Sequence, residues 1–369
     1  MEEMGGEKQA RMGLADVAIA GGGIVGLSLG LELRLRGMSV TVLERGQAMR
    51  AASWAAGGML AVEDPQNPPE LMELARLSGR LYPEWLRRLE ELSSLRVPMR
   101  TRWTLQHVGP KVREGIATVE EVGALAPGLR ADLVRFRLIE EGSVDPRDVC
   151  AALPKAFAAA GGTLVEECEV SAVECGAESV SLRTEQGEFA ARTFVDCRGA
   201  WAKEVSVEPV KGQMVEMRCA PERLKCVVRA PEVYLIPRGD GRVAAGATLE
   251  RVGFDTRVDQ GSIAALMRAA RELMPELEAK DPVKSWAGLR PGTPDGLPVM
   301  GAIAGLEGKR AKSRCWYASG LYRDGILLAP ATARVMAQVI TREEPDVPTE
   351  AFSAMRFADA RRGAEKLGV

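Results

Sequence analysis

Histidine is almost missing from this sequence, since His107 is the only one among 369 residues. A zinc site built on histidines, a Ser-His-Asp triad and a histidine general base would all depend on that one side chain. We therefore expect neither a metal site nor a catalytic centre built on histidine.

An excess of charge of one sign is missing as well. The chain has 49 lysines and arginines, 51 aspartates and glutamates, and a formal net charge of -2. Proteins that bind a phosphate backbone normally carry a surplus of basic residues, so we expect no nucleic-acid partner.

Closely spaced cysteines and long apolar runs are also missing. The 7 cysteines form no CxxC pair and no metal-ligand spacing, so we interpret them as buried, reduced side chains. No window reaches the roughly 20 apolar residues that a membrane-spanning helix needs, and the acidic start of the chain is unlike a signal peptide. We expect a cytoplasmic protein without membrane association, with residues 1–13 as a disordered extension.

Glycine, by contrast, is abundant, and the first ordered segment is a strand followed by a glycine turn and a helix. The residue pattern predicts a strand over 16–20, a helix over 27–36 and a second strand over 39–43. A unit of this size is typical of a parallel mononucleotide-binding half.

The turn itself has the GxGxxG spacing, with Gly21, Gly23 and Gly26, and Glu44 follows the second strand. In a dinucleotide site the first glycine makes the turn, the second admits the pyrophosphate, the third lets helix and strand pack, and the acid binds ribose hydroxyls. The motif does not distinguish FAD from NAD, and a glycine turn without a ligand is the alternative. Arg45 is a candidate for the 2′-phosphate of NADP, but Glu44 argues against it.

Other segments show helical or strand patterns later in the chain. The segment 234–247 has two strand-like apolar runs separated by a glycine turn, and this pattern predicts a β-hairpin. The remaining predictions are helices at 70–95, 146–160, 263–273 and 326–340, and strands at 163–165, 180–183 and 189–195.

Residues 315–330 form a strand, a glycine-rich turn and a helix with proline in its first turns. A flavin gathers negative charge along its N1 and C2 carbonyl edge when it is reduced, and a helix N-terminus stabilises that charge. A nicotinamide needs no such element, so this segment favours FAD. Taken alone, the segment is also compatible with an ordinary buried turn.

Two arginines and a tyrosine are the candidates for substrate binding. Arg290 lies between Leu289 and Pro291 in an apolar, turn-forming run, and a fixed guanidinium binds a carboxylate well. Arg323 from the second glycine-rich turn and Tyr234 from the hairpin are further candidates. A solvated arginine and a core tyrosine are the alternatives.

At these residues the sequence resembles the D-amino-acid-oxidase-like flavoproteins, and among them the glycine oxidases of the ThiO type. The matching blocks occur in the family's order over nearly the whole chain from residue 14. They are Gly21 to Gly26, Ala52 to Leu60, Gly142 to Pro146, Pro209 to Gln213, Tyr234 to Pro237, Trp286 to Gly292, and Gly320 to Pro330.

The resemblance implies an α/β fold with two domains. One is a Rossmann-like FAD-binding domain of the glutathione-reductase type, assembled from the discontinuous segments 14–75, 144–203 and 287–345. The other is an α+β substrate domain with a mainly antiparallel sheet, formed by residues 76–143 and 204–286. Residues 346–369 would be a C-terminal tail.

The resemblance also implies the residues of the site. Arg290 would bind the substrate carboxylate, with help from Arg323 and Tyr234. The cofactor, non-covalent FAD, would contact Gly21, Gly23, Ile24, Val25, Gly26, Glu44, Arg45, Ala52, Ser53, Gly57, Gly58, Met59, Val170, Gly199, Trp201, Leu321, Tyr322, Arg323, Asp324, Gly325, Ile326 and Leu327. Leu321 stands where relatives often have histidine, and Leu249 where a methionine can line the pocket, which leaves the substrate preference open.

The activity implied is that of an FAD-dependent glycine oxidase. Glycine, sarcosine or D-alanine would bind with a neutral amine and transfer a hydride from the α-carbon to the flavin. The imine would hydrolyse to the oxo acid (glyoxylate from glycine) and ammonia, and oxygen would be reduced to hydrogen peroxide. The alternatives are a D-amino-acid dehydrogenase with another electron acceptor, a flavoprotein subunit of a heteromeric amine oxidase, and an NAD(P)-dependent dehydrogenase.

The expected partners are a small amino-acid substrate, oxygen and further copies of the chain in a homo-oligomer. A role in thiamine biosynthesis, with hand-off of the product to a thiazole synthase, is also implied by the resemblance.

Overall fold

Two sheets, each with helices packed against it, make up the fold. The computed structural model describes residues 14–130, 135–203, 205–279, 283–303 and 313–357. The predicted extension 1–13 and the last part of the predicted tail, residues 358–369, lie outside the described residues.

The helices are α1 (Ile24–Leu35), α2 (Ala52–Ala55), α3 (Met72–Ser93), α4 (Val119–Leu125), α5 (Pro146–Ala159), α6 (Gln260–Leu273) and α7 (Gly325–Thr341). The strands are β1 (Ala15–Ala20), β2 (Val40–Leu43), β3 (Met99–Thr101), β4 (Thr104–His107), β5 (Phe136–Ile139), β6 (Ser143–Val144), β7 (Thr163–Val165), β8 (Ala172–Cys175), β9 (Val180–Thr184), β10 (Gly187–Asp196), β11 (Glu208–Arg218), β12 (Val227–Arg229), β13 (Tyr234–Pro237), β14 (Arg242–Gly246), β15 (Ser285–Gly292), β16 (Val299–Ala302) and β17 (Cys315–Ser319). Short 3₁₀ turns occupy Pro69–Leu71, Gly199–Trp201, Pro221–Arg223, Glu350–Phe352 and Ala354–Phe357.

The first sheet is mainly parallel and has β1 at its centre. Its main order is β16-β17-β10-β1-β2-β7, in which only β16 runs antiparallel to its neighbour. The hairpin β8–β9 pairs with the first half of β10, and β17 pairs with its second half. Helices α1, α3, α5 and α7 pack together in a continuous apolar core with residues of β1, β2 and β10. Apolar strands buried on both faces are typical of such sheets.

The second sheet is mainly antiparallel, in the order β15-β11-β14-β13-β12-β4-β5, with one parallel pair between β12 and β4. Helix α6 packs against β11 and β14 on its apolar face. The prediction of an α/β fold, with a Rossmann-like part and a mainly antiparallel sheet, is confirmed. The exact domain boundaries stay a prediction, and β15 runs across the predicted boundary between residues 286 and 287.

Most predicted elements are present, with ends that differ by a few residues. The helix predicted over 70–95 is α3 with one 3₁₀ turn before it, and the helix predicted over 27–36 begins three residues earlier, at Ile24. The predicted hairpin is the antiparallel pair β13–β14.

The run around Arg290 is a strand, whereas the sequence predicted a turn-forming segment. Pro291 lies opposite Pro209 in the antiparallel pairing of β15 with β11. β15 is at the end of the sheet order, and proline is tolerated in an edge strand because no second neighbour needs its N–H. Arg290 is therefore held by a strand, from which its side chain has a defined direction.

The interpretation of all cysteines as unpaired thiols is wrong for two of them. Cys175 and Cys315 form a disulfide across 140 residues of sequence. Cys175 ends β8 and Cys315 begins β17, and both strands lie along the same side of β10. This long-range pairing is invisible in the cysteine spacing. The other five cysteines are free thiols.

The part of the chain that the structure describes contains neither a candidate membrane-spanning helix nor a candidate metal site. No helix in that part of the chain has the length and apolar character needed to cross a membrane. No three histidine, cysteine, aspartate or glutamate side chains there are grouped so as to hold a metal ion.

Candidate active site

A cavity of about 590 Å³ lies where the two sheets meet. One side is formed by the carboxyl ends of β1, β2 and β17, where ligands of parallel sheets normally bind. The other side is formed by residues of β11, β13, β14 and β15. Of the predicted site residues, the wall contains Gly21, Gly23, Ile24, Val25, Glu44, Arg45, Ala52, Ser53, Gly57, Gly58, Met59, Val170, Gly199, Trp201, Tyr234, Arg290, Leu321, Tyr322, Arg323, Asp324, Gly325 and Ile326.

Two predicted cofactor residues, Gly26 and Leu327, lie behind this wall. A Cβ on Gly26 would overlap the carbonyl oxygen of Gly21, so this glycine allows the helix to pack against the turn. Leu327 is buried in α7, and its carbonyl accepts a hydrogen bond from the Ser78 hydroxyl. Both residues support the cavity from behind.

The glycine turn after β1 is held by the strand beside it. Gly21 has φ of +108°, and a Cβ there would overlap the backbone of Cys197 at the end of β10. Only glycine combines this backbone angle with so close an approach. The Ile24 N–H at the start of α1 donates to the Ser53 hydroxyl at 3.0 Å.

Glu44 stands at the end of β2 with its carboxylate fixed by the backbone. Its oxygens accept hydrogen bonds from the Gly22 N–H at 2.7 Å and the Gly46 N–H at 3.0 Å. Carboxylate oxygens have further lone pairs, so a fixed Glu44 can still accept bonds from ribose hydroxyls.

An aromatic stack closes this end of the cavity. The Arg45 guanidinium lies 3.8 Å from the centroid of the Trp201 ring, and Trp201 is stacked on Phe254 with ring centroids 5.5 Å apart. Phe254 comes from the segment between β14 and α6 and was not predicted. No motif marked it, because a lone aromatic in a polar segment gives no sequence signal.

The second glycine-rich turn brings the start of α7 to the cavity. Gly320 has φ of +73°, and a Cβ there would lie 2.8 Å from Cγ2 of Thr293. The chain then enters α7 at Gly325, directly after Asp324 on the cavity wall. The N–H groups of a first helical turn have no acceptor within the helix, so they are available to a ligand.

Arg290 and Tyr234 both line the side of the cavity that is formed by the second sheet. Nη1 of Arg290 donates to the carbonyl oxygens of Lys211 at 3.3 Å and Thr248 at 3.2 Å. Burial raises the pKa of Tyr234, while Arg290 acts against this rise through its charge and through hydrogen bonding. The two side chains are thus close enough to share a carboxylate.

Arg323 lies on the same wall but already has protein partners. Its guanidinium donates to the side-chain oxygens of Gln66 and, at 3.3 Å, of Asn67, and it lies 3.7 Å from Oδ2 of Asp64. A substrate carboxylate would have to compete with these groups for Arg323.

Arg229 is a site residue that the sequence did not reveal. It lies opposite Tyr234 in the β12–β13 pair, and its side chain is 8% exposed. Its Nη2 donates to Oε2 of Glu141 at 2.6 Å, and its Nη1 lies 3.5 Å from Oδ2 of Asp64. The same Asp64 oxygen therefore lies between Arg229 and Arg323. In the sequence, Arg229 simply follows two valines in a short strand, and this pattern does not predict a buried ion pair on the cavity wall.

The fold and the site geometry match a known family. The family model described as FAD dependent oxidoreductase (DAO) matches residues 16–339. The chain belongs to this family.

Several relatives within this oxidoreductase family are similar over nearly the whole chain. A glycine oxidase of Pseudomonas aeruginosa is 34% identical over 89% of this chain and 95% of its own length. A bifunctional protein ThiO/ThiG of Synechocystis is 34% identical over 93% of this chain and 54% of its own length. The crystal structure of glycine oxidase from Geobacillus kaustophilus has a TM-score of 0.85 and 32% identity, and the match covers 93% of this chain and 98% of that one. The predicted resemblance is confirmed.

FAD is the cofactor of this oxidoreductase, and the cavity fits it. A Cβ added to Gly199 or Gly325 would meet no atom within 4 Å, so both glycines present bare backbone to open space on the wall. The starts of α1 and α7 supply N–H donors, and Glu44 supplies an acceptor. We expect the pyrophosphate at the start of α1, a ribose at Glu44 and the flavin carbonyl edge at the start of α7.

We expect Asp324 to make the stability of the fold depend on pH. Burial raises the pKa of Asp324 to about 6 from its ordinary value of 3.8, although Arg323 opposes the rise. The folded protein thus binds this proton more tightly than the unfolded chain. The resulting stability is fully present below pH 3.8 and is lost as the pH rises through about 6.

We therefore expect Asp324→Asn to gain stability relative to the parent as the pH rises from 4 to 7. The gain should be up to about 3 kcal/mol, at about 1.36 kcal/mol for each pKa unit. Urea unfolding of both proteins across this range measures it. Asp240→Asn is the control, and we expect it to lose stability relative to the parent over the same rise in pH. Partial burial of Asp240 is outweighed by hydrogen bonding with Arg242, so the pKa of Asp240 is lowered. A difference between parent and Asp324→Asn that is independent of pH would contradict the expectation.

Proposed function

We propose that this FAD-dependent oxidoreductase is a glycine oxidase that acts on glycine and other small amino acids. The observation that carries the proposal is the proximity of Arg290 and Tyr234 on the wall of the cavity that also contains the start of α7. A guanidinium with a neighbouring hydroxyl is suited to hold the carboxylate of a small amino acid.

The protein groups would bind and orient the substrate. Arg290 would hold the carboxylate and Tyr234 would donate its hydroxyl to it, which fixes the α-carbon relative to the cavity wall. FAD, when bound, supplies the acceptor for two electrons. His107, the one histidine, is not on the cavity wall, so a histidine base takes no part. Hydride transfer from a neutral amine requires none.

The overall reaction would convert glycine, oxygen and water to glyoxylate, ammonia and hydrogen peroxide. The relative named ThiO/ThiG joins a similar chain to a second protein in one polypeptide. This supports a role in thiamine biosynthesis, in which the product passes to a thiazole synthase. The homo-oligomeric state stays a prediction from the resemblance, and the cytoplasmic location stays a prediction from the sequence composition.

The test is to mix the purified holoprotein with glycine, first without oxygen and then in air. We expect the flavin absorbance to bleach without oxygen and to return in air with one peroxide for each glycine consumed. Sarcosine and D-alanine would show the width of the substrate range. If none of the three bleaches the flavin, the proposal is wrong. If bleaching occurs but only an artificial acceptor restores the absorbance, the protein is a dehydrogenase. Activity that requires a second chain would indicate a heteromeric enzyme.

A further inference from the structure

The guanidinium of Arg290 lies directly on the backbone of Gly212. A Cβ at residue 212 would overlap Cζ, Nη1 and Nη2 of Arg290. The pairing of β11 with β15 explains this position: Arg290 is opposite Val210, and Gly212 is the next residue on the same face of β11. The arginine side chain therefore extends along the sheet over a position without a side chain.

The backbone conformation does not require glycine at this position. Gly212 is not among the residues with positive φ, and it lies inside the regular ladder of an extended strand. An alanine would fit such a backbone, and it has less conformational entropy to lose on folding than glycine. The three atoms nearest to an added Cβ all belong to the guanidinium of Arg290, at 2.2–2.3 Å.

The remaining contacts place the guanidinium in a fixed slot. Its Nη1 donates to the carbonyl oxygens of Lys211 at 3.3 Å and Thr248 at 3.2 Å. The segment that carries Thr248 is itself tied to β11, because Lys211 and Glu250 exchange two backbone hydrogen bonds at 2.8 and 3.0 Å. The Gln213 N–H also donates to the Thr248 hydroxyl at 2.9 Å. The acceptors of Nη1 therefore do not move independently of the strand.

We propose that Gly212 is a positioning residue for the carboxylate-binding arginine. Its missing side chain creates the space in which the Arg290 guanidinium lies, so that the groups not bound to the two carbonyls face the cavity. This inference rests on the proposed function, since it concerns how the same substrate carboxylate is held.

Gly212→Ala tests the inference because a strand tolerates alanine while the guanidinium does not. The probe is acetate, the carboxylate of glycine without its amine, titrated into the oxidised holoprotein and followed by the flavin absorbance. We expect acetate binding to weaken by about tenfold or more, the effect of losing one charge-assisted hydrogen bond. The KM for glycine should rise by a similar factor with a smaller change in kcat, and the melting temperature should not fall.

Two further variants separate positioning from a general structural effect. Gly109→Ala is the matched control, since a Cβ there would meet no atom within 4 Å and the residue is not on the cavity wall. In the Arg290→Ala background, Gly212→Ala should weaken acetate binding no further, because the displaced group is already gone. Full additivity of the two changes would overturn the proposal.

The remaining outcomes also decide the matter. If Gly212→Ala does not fold, the double variant with Arg290→Ala should fold again, and failure of the double variant overturns the proposal. If the parent binds acetate, Arg290→Ala weakens this binding and Gly212→Ala leaves it unchanged, only the inference about Gly212 fails. If the parent binds no acetate, the carboxylate site of the proposed function fails together with it.

Discussion

Arg290→Ala should raise the KM for glycine roughly 100-fold while kcat changes much less. The guanidinium is held in a slot by two carbonyls and lies beside Tyr234, so its free groups are oriented before the substrate arrives. Charge-assisted hydrogen bonds contribute about 1.5–3 kcal/mol each, and about 1.4 kcal/mol corresponds to a factor of ten. A rise in KM with little change in kcat indicates that the lost interaction stabilises the bound substrate and the transition state equally.

The measurement is the initial rate of peroxide formation over a range of glycine concentrations. Arg323→Ala is the informative comparison, because Arg323 already interacts with Asp64, Gln66 and Asn67. We expect its effect on KM to stay below about tenfold, since those groups compete with the substrate for it. An effect of Arg323→Ala larger than that of Arg290→Ala would reverse the assignment of the main carboxylate ligand.

The elements that the sequence predicted well are those whose pattern is local. The first glycine turn, the β13–β14 hairpin and α7 each combine an apolar period with glycines at their ends. The cofactor end of the cavity was predicted for the same reason, since Gly21, Gly23 and Glu44 lie within one βαβ unit.

Features formed by distant segments were missed. β11 and β15 contain prolines and glycines that favour turns locally, and only their pairing makes them strands. The Cys175–Cys315 disulfide depends on two strands that share one side of β10. The slot for Arg290 involves Gly212, which is far from Arg290 in sequence, and the matching block Pro209 to Gln213 did not indicate what this glycine does.

The ion network around Arg229 shows the same limit most clearly. Its members come from three separate segments, at Asp64, Glu141 and Arg229, and become partners only when β12 lies beside the loop after α2 and the end of β5. Charged residues in a sequence are normally assigned to the surface. The burial of Glu141 and Arg229, whose side chains are 3% and 8% exposed, could not be inferred without the fold.

Arg229→Met should therefore lower the free energy of unfolding by about 3–5 kcal/mol. The Glu141 side chain is only 3% exposed, and burial raises its pKa while Arg229 acts to lower it. Without Arg229, a buried carboxylate would lose its main counter-charge, and Asp64 would be left with Arg323 alone. A buried charge without a partner is much more costly than the loss of an exposed ion pair.

Urea unfolding of the parent and the variants at neutral pH measures this effect. Arg183→Met is the matched control, because Arg183 pairs with Glu174 while their side chains are 69% and 71% exposed, and we expect a change below about 1 kcal/mol. Adding Glu141→Gln to Arg229→Met should recover much of the loss, since the amide removes the unpaired charge. Equal losses for Arg229→Met and Arg183→Met, or no recovery in the double variant, would show that burial of this charge pair does not determine stability here.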